Sequence, residues 1–154
     1  MLLCLEQHQS STGSPKAPAV EELRSPLDQA RHDGALAAAA ATAIGIPPQV
    51  AAALTVVATQ RTSHARALAT EIARAAGKLV SATSETSSSS PSPTDPAAPP
   101  PAVSDVIDSL RTSAGEASRL VATTSGYRAG LLASIAASCT ASYTVALVPS
   151  GPSI

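Results

Sequence analysis

Large aromatic side chains are almost missing from this chain of 154 residues: Phe and Trp do not occur, and Tyr127 and Tyr143 are the only tyrosines. The hydrophobic fraction is 44%, but much of it is alanine. An alanine methyl group gains far less on burial than the roughly 1.5–3 kcal/mol of a Val or Leu side chain. We therefore expect a thin core, stabilised by the helix propensity of alanine and by close helix packing over small side chains.

Charge of either sign is also scarce. Charged residues make up 14% of the chain and the net charge is −1. No basic stripe is interleaved with aromatic residues, which argues against a nucleic-acid partner. The two cysteines, Cys4 and Cys139, lie near opposite ends of the chain, without a CxxC pair or a Cys/His spacing that suits zinc. We therefore predict no metal site.

The sequence also lacks the common motifs of catalysis. The segment around Gly77 and Lys78 has neither the leading glycine nor the following Ser or Thr of a phosphate loop, and it is more typical of a helix C-terminus. No GxSxG motif occurs, so the many serines include no candidate nucleophile. We predict no catalytic residues and no cofactor.

What the chain does contain is one long segment of low complexity. Residues 81–101 are almost wholly Ser, Thr, Pro, Ala and acidic residues. Proline cannot donate to a helix or a central strand, and serine competes for backbone hydrogen bonds, so we expect this linker to stay extended and solvated. It separates two alanine-rich halves, and each half has the pattern of a helix pair.

The first half predicts two helices joined by a tight turn. Ser25 followed by proline is a typical helix start, and Gly45 followed closely by proline is a typical stop, which gives a first helix at 25–44. The second helix is predicted over 49–76, where another glycine follows. Because the turn is short, the two helices must be antiparallel neighbours.

The second half has the same layout, with predicted helices at 104–124 and 127–148. No strand-like alternation competes with these assignments. We therefore predict an all-α fold, a single four-helix bundle over 20–148 made of two antiparallel helical hairpins joined by a long Ser/Pro-rich crossover. The linker is long enough to recross the bundle, though its length also permits a simple return. Residues 1–19 and 149–154 are predicted to be tails.

Polar residues on the inner stripe of the second helix are the candidate site. Arg61, His64 and Glu71 recur at helical spacing among apolar residues. In an antiparallel hairpin, Asp28 or His32 near the start of the first helix can approach Glu71 or His64. Because buried charges must be paired, we interpret these five residues as a buried polar network that fixes helix register. The alternative is a small-ligand or weakly catalytic site on the same face.

Membrane contact and export are the two open questions of location. The uncharged stretch 129–148 has about the length of a membrane span, but it contains five Ser or Thr residues and lacks an aromatic belt. We predict a buried bundle helix, with peripheral membrane contact as the alternative. Leu-Leu-Cys4 is half of a lipobox, and residues 5–19 resemble a tether. Our hypothesis is export to the cell envelope if an upstream signal precedes the chain, and a cytoplasmic location otherwise.

Two segments carry a resemblance to a known family. QRTSHARALATEIARAAG (60–77) and YRAGLLASIAASC (127–139) resemble an actinobacterial alanine-rich family of unknown function with a ferritin-like four-helix bundle. The resemblance implies that topology and an envelope location, but no activity. The di-iron site of true ferritins needs carboxylates on all four helices and two Glu-x-x-His motifs, which this chain lacks. We therefore expect a non-enzymatic structural or interaction module, which binds an unknown protein partner or a second copy of itself.

Overall fold

The structure, a computed structural model, describes residues 18–77 and 99–148. A short helix, α1, comes first, four helices of 16 to 28 residues follow, and a π-helical turn continues the last of them. The elements are α1 (Pro18–Glu21), α2 (Arg24–Ala41), α3 (Pro48–Ala75), α4 (Val103–Val121), α5 (Gly126–Ala141) and the π turn (Ser142–Ala146). These two described ranges contain no strand. The predicted all-α class with four main helices is confirmed.

The first long helix begins differently from the prediction. Ser25 is the second residue of α2 rather than its N-cap. The carbonyl of Leu23 accepts a hydrogen bond from the amide of Leu27 at 3.1 Å, and the Leu23 side chain is buried. The Ser25 hydroxyl instead donates to the carboxylate of Glu116 on α4. The helix start is therefore fixed by a tertiary contact and by the upstream turn α1, which sequence patterns around Ser25 do not reveal.

The turn between α2 and α3 has the chemistry that the sequence predicts. Gly45 adopts φ of 83°, in the left-handed region that favours glycine. Ile46 packs against the core. The helix ends at Ala41 rather than at residue 44, because the amides of Thr42 and Ala43 already bond carbonyls only three residues back, at 3.2 and 3.1 Å.

The last helix widens at its C-terminal end. The amide of Leu147 donates to the carbonyl of Ser142 at 2.9 Å, a bond that spans five residues and defines a π turn. The wider turn leaves both Ser142 and Leu147 buried. The predicted helix at 127–148 is therefore divided into α5 and this turn.

The long helices that touch each other run antiparallel. α2 packs along α3 and α4, and α5 packs along α4 and more loosely along α3. Ser25 near the start of α2 bonds Glu116 near the end of α4, and Glu71 near the end of α3 bonds Arg128 at the start of α5. α2 and α3 approach closely at Gly34, where a Cβ atom would lie 3.6 Å from the Ala58 carbonyl oxygen.

The core is as thin as the composition suggests. Its large side chains are few and fully buried, and alanines fill the space between them on α2 and α4. The large members are Leu23, Leu54, Val57, Leu68, Val106, Leu110, Leu132, Ile135 and Leu147. Burial of each large side chain contributes roughly 1.5–3 kcal/mol to stability. Because such side chains are few, the stability of the core depends on a small number of contacts.

Several predictions concern residues that the structure does not describe. The N-terminal segment 1–17 with Cys4, most of the linker 81–101, and the tail 149–154 lie outside the described residues. The last three linker residues, 99–101, are described and are not helical. Residues 18 and 19, predicted as part of the tail, belong to α1.

Candidate functional site

The centre of the molecule is an ion pair between α2 and α3. A carboxylate oxygen of Asp33 lies 2.8 Å from Nη2 of Arg61, and both side chains are buried, with exposed fractions of 0% and 3%. Taking two charges out of water is costly, and a pair in this position is stable only when the remaining donors and acceptors are also satisfied. The surrounding residues supply most of those partners.

Two serines of α4 complete the coordination of the Asp33 carboxylate. Ser109 donates to one oxygen at 2.5 Å and Ser113 to the other at 2.6 Å. Gln29, one turn earlier on α2, adds a third hydrogen bond at 3.1 Å. The Ser113 hydroxyl also accepts a hydrogen bond from Arg61 at 3.2 Å. Together these residues form the Asp33 network, which joins α2, α3 and α4.

The Asp33 network has one unsatisfied atom in the described part of the chain. Nε of Arg61 is buried without a hydrogen-bond partner there. Cys139 of α5 faces the same guanidinium: burial raises the pKa of its thiol, and the positive charge of Arg61 opposes that rise. Cys139 of α5 therefore lies near the Asp33 network, and a neutral thiol is the form that this environment favours.

His64 accepts rather than donates within this network. Its Nδ1 lies 3.2 Å from Nη1 of Arg61. A guanidinium can only donate, so Nδ1 must be the unprotonated nitrogen and Nε2 carries the hydrogen. Burial and the charge of Arg61 lower the pKa of His64 to about 4. At neutral pH the imidazole is therefore uncharged, and it serves as a fixed acceptor for Arg61.

Glu71 belongs to a second, separate cluster. Arg74 donates to both of its carboxylate oxygens, at 2.7 and 2.6 Å, and Arg128 of α5 donates through Nε at 2.8 Å. The hydrogen bond from Arg74 is the main reason that the pKa of Glu71 is lowered, and burial opposes it. Glu71 lies seven residues beyond His64, about 10 Å along the helix axis at 1.5 Å per residue. The predicted single network is thus two clusters.

The residues that we proposed as partners from α2 lie elsewhere. Asp28 is exposed and pairs with Arg31 at 3.5 Å, and His32 is exposed. The contact of either residue with Glu71 or His64 was therefore wrongly predicted. The reason is helical phase, because Asp33 and not its neighbours falls on the buried stripe of α2. Arg61 and His64 do share one network, as proposed, while Glu71 does not join them.

The predicted site lacked six residues of these clusters: Gln29, Asp33, Ser109, Ser113, Arg74 and Arg128. A pattern points to two of the network residues. Asp33 continues the spacing of the buried alanines 30, 37 and 40, and Ser113 follows the buried Leu110 by three residues. A polar residue on an apolar stripe is informative because buried polar groups need partners. No comparable pattern marks Arg128, which reaches Glu71 only through the tertiary fold.

The polar side chains of the Asp33 network bond one another, and this limits the chemistry that the network can perform. Among the described residues no three His, Cys, Asp or Glu side chains converge as metal ligands do. Three surface cavities in the described part of the chain are lined by none of Asp33, Arg61 and His64. The groups that could act as acid, base or nucleophile there are occupied with one another. The geometry favours a structural role.

The outer side of α5 is the second notable feature of the molecule. From Ala129 to Val148 the chain carries no charged residue. Small or polar uncharged residues recur at steps of three and four along its exposed side, which we call the α5 surface. Its members are Gly130, Ala133, Ser134, Ala137, Thr140, Ala141, Thr144 and Val145.

A groove of 530 Å³ runs beside the α5 surface, between α5 and the first half of α3. Val56 and Val145 stand at its rim and are 55% and 75% exposed. Ala53 and Ala141 lie along it, and the π turn forms its end. Exposed valines around an uncharged groove are unusual on a solvated face, and π turns are frequent at functional sites.

The helical run Gly126–Ala146 is long and apolar enough to cross a membrane by length and composition. Core helices of soluble proteins meet the same criterion, but only 22% of the tested window is buried inside this fold. The prediction that this helix is a buried bundle helix therefore holds for one side of it. Leu132, Ile135 and Cys139 face the core, and the residues on the opposite side of the helix are exposed.

Comparison of the chain with protein-family models, with characterised proteins and with solved structures finds no match. The resemblance of 60–77 and 127–139 to an alanine-rich ferritin-like family therefore stays a prediction.

Replacing Asp33 tests whether the network is needed for stability. Asp33→Asn leaves the buried charge of Arg61 unpaired, so we expect the free energy of unfolding to fall by about 3–5 kcal/mol. Asp108→Asn is the matched control: Asp108 pairs with Arg111 on the surface, and we expect a loss below about 1 kcal/mol. The double variant Asp33→Leu/Arg61→Met should recover most of the loss, as measured by urea unfolding. Equal losses of unfolding free energy in Asp33→Asn and Asp108→Asn would contradict a stabilising role of the ion pair between Asp33 and Arg61.

The pH dependence of stability tests the state of His64. Because its pKa is about 4 in the fold and 6.5 ordinarily, the unfolded chain binds the proton more readily. The stability is therefore fully present above about pH 6.5 and decreases as the pH falls toward 4. Between about pH 7 and pH 5 we expect a loss of about 1–2 kcal/mol in the wild type. The pKa of Glu71, ordinarily 4.5 and lowered in the fold, adds little in this range.

The variant His64→Gln keeps an acceptor for Arg61 and removes the titration. We expect it to show a smaller loss of unfolding free energy across this pH range than the wild type. His32→Gln, at an exposed histidine, is the control and should keep the wild-type slope. A slope in His64→Gln as steep as in the wild type would mean that other groups cause the pH dependence.

Proposed function

We propose that this protein is a non-enzymatic interaction module, a ferritin-like four-helix bundle without a di-iron centre, which associates with a second copy of itself through the α5 surface. The observation that carries the proposal is the uncharged, exposed side of the run from Ala129 to Val148 beside an apolar groove. An envelope location, which the family resemblance implies, is part of the proposal and is independent of the mode of association.

The ferritin-like topology is supported by the directions of the helices. α3 ends beside the end of α4, because Arg74, Thr123 and Thr124 line one cavity. The start of α4 is then one helix length away, about 28 Å for 19 residues. This placement supports a connection from α3 to α4 that runs the length of the bundle. A crossover of this kind between the second and third long helices distinguishes the ferritin-like arrangement from a simple up-and-down bundle.

A distance measurement between spin labels tests this topology. In a chain with Cys4→Ser and Cys139→Ala, labels at the exposed positions Ala76 and Ala102 should be separated by about 28 Å or more. Labels at Ala76 and Thr123 form the control pair and should be much closer, because both positions lie at the same end. A separation of Ala76 and Ala102 as short as that of the control pair would exclude the crossover.

Self-association is supported by the composition of the α5 surface. Exposed alanines and a glycine at steps of three and four let two helices approach closely, because no large side chain keeps the backbones apart. The surface carries no charge, so two copies related by a two-fold axis meet without like-charge repulsion. The other helices differ in this respect. α2 exposes Asp28 and Arg31, and α4 exposes Asp108 and Arg111.

The α5 surface and the groove beside it together present a protruding side chain and a recess that can receive it. Val145 protrudes from the rim of the groove, and small side chains such as Ala53 and Ala141 line the groove itself. In an isologous pair, the valine of one copy can enter the groove of the other, and the same contact occurs twice. Burial of exposed valine and alanine side chains at about 25 cal/mol per Å² provides the driving force.

Charge placed on the α5 surface tests self-association. We expect the wild-type chain to sediment as a dimer in analytical ultracentrifugation and Ala137→Glu or Ala141→Glu to sediment as a monomer with unchanged helicity. A desolvated carboxylate without a partner opposes the interface. Ala35→Glu, at an exposed position of α2, is the matched control and should remain dimeric. A monomeric wild type at high micromolar concentration, or dimers in all variants, would refute association through this surface.

Membrane association through the same helix is the second candidate, favoured by the span-like length of Gly126–Ala146. Carbonate extraction distinguishes membrane association from self-association. An untagged chain that stays in the membrane pellet, and that Ala137→Glu releases, would assign the α5 surface to the bilayer. A chain that is fully extracted and dimeric supports self-association. The third possibility, a small-ligand site on the Arg61/His64/Glu71 face, is not favoured, because Glu71 is separated from the other two.

A further inference from the structure

A second cavity, of 430 Å³, lies at the other end of the bundle from the apolar groove. Arg74 at the end of α3 and Arg128 at the start of α5 both line it. Both guanidinium groups are held by the same carboxylate of Glu71, which is 1% exposed. Two positive charges therefore share one buried negative charge, and the surplus faces the cavity. We call this cavity the arginine cavity.

The arginines retain hydrogen-bond donors for a ligand. Arg74 uses Nε and Nη2 on Glu71, and Arg128 uses only Nε. Within the described residues, Nη1 of Arg74 and both terminal nitrogens of Arg128 have no partner. Because hydrogen bonds to Glu71 restrain both guanidinium groups, these donors are partly oriented before a ligand arrives, which reduces the entropy cost of binding.

The turn between α4 and α5 adds polar groups on the same cavity. Ser125 precedes α5, and its hydroxyl forms no capping hydrogen bond to the first turn of that helix. The hydroxyl and the first amides of α5 are therefore available to an anion, which the helix dipole also favours. Thr123 and Thr124 contribute less, because both hydroxyls donate to the carbonyl of Leu120.

One residue of the arginine cavity opposes an anion. The exposed carboxylate of Glu22, in the turn between α1 and α2, also lines the cavity. The charge of Glu22 is solvated, whereas both arginines are bonded to the buried carboxylate of Glu71. It should therefore weaken the binding of an anion without abolishing it, which provides an independent test of the charge of the ligand.

We propose that the arginine cavity binds a small phosphate-bearing anion, with Arg74 and Arg128 as its principal ligands. Planar guanidinium groups match both carboxylates and phosphates. A carboxylate presents two oxygens, and both lie in one plane. A phosphate presents three or more oxygens in different directions, and here donors approach from α3, from α5 and from Ser125. The site is separate from the α5 surface and does not depend on self-association.

Calorimetric titration of the full chain with inorganic phosphate, at constant ionic strength, tests the proposal. We expect saturable binding of phosphate and much weaker binding of acetate. Arg128→Gln should lower the affinity about tenfold, since a hydrogen bond to a charged group is lost. Arg66→Gln removes one positive charge at an exposed position of α3 outside the arginine cavity and should leave the affinity unchanged. Equal loss in both variants, or no binding by the wild type, would overturn the proposal.

Two further variants keep the test decisive if Arg128→Gln disturbs the fold through Glu71. Glu22→Gln touches neither arginine pair, and it should raise the phosphate affinity severalfold because it removes a repulsive charge. Ser125→Ala should lower the affinity less than Arg128→Gln does. A Glu22→Gln affinity equal to that of the wild type would show that phosphate does not occupy this cavity.

Vesicles distinguish a soluble phosphate from a lipid headgroup. Phosphatidylcholine vesicles with and without phosphatidic acid are sedimented with the chain and with Arg128→Gln. Binding that requires both phosphatidic acid and Arg128 assigns the cavity to a phosphomonoester headgroup. Phosphate binding without such sedimentation assigns it to a soluble anion.

Discussion

The ion pair between Asp33 and Arg61 is the interaction on which the rest of the structure depends. It lies next to Gly34, where a Cβ atom would be 3.6 Å from the Cβ atom of Arg61 on α3. Two serines of α4 bond the carboxylate, and Cys139 of α5 faces the guanidinium. The buried pair and its hydrogen-bond partners thus connect α2, α3 and α4. A shift of any of these three helices by one residue would leave a buried charge without its partners, at a cost of several kcal/mol.

The hydrogen-bonded ion pair explains how a core made largely of alanine can specify one register of the helices. Alanine surfaces resemble one another, and sliding two of them past each other changes the buried area little. Shape complementarity alone therefore discriminates weakly among registers. Directional polar contacts discriminate strongly, because their energy falls steeply with distance and angle. The second cluster, in which Arg74 and Arg128 bond Glu71, has the same effect at the end of the bundle, where it ties α3 to α5.

The sequence predicted the helices well and the partners of the charges poorly, for physical reasons. Periodicity and the Gly45 stop depend on nearby residues, so the four helices and the first turn could be read directly. The partner of Arg61 depends on helical phase across a tertiary contact. A rotation of about 100° for each residue separates the buried Asp33 from the exposed His32. The arginine of α5 that reaches Glu71 is more than fifty residues away, and no local pattern relates the two.

The apolar groove and the arginine cavity lie at opposite ends of α5, and this separation determines how a dimer and a bound anion affect each other. Arg128 is in its first turn, and Val145 is in the π turn that follows it, about 25 Å away at 1.5 Å per residue. An anion bound at the first end does not contact the groove, and none of the residues that line the arginine cavity belongs to the α5 surface. A dimer centred on the groove would therefore leave both arginine cavities open. If the two copies pair antiparallel about a two-fold axis perpendicular to α5, the cavities lie at opposite ends of the assembly and face apart.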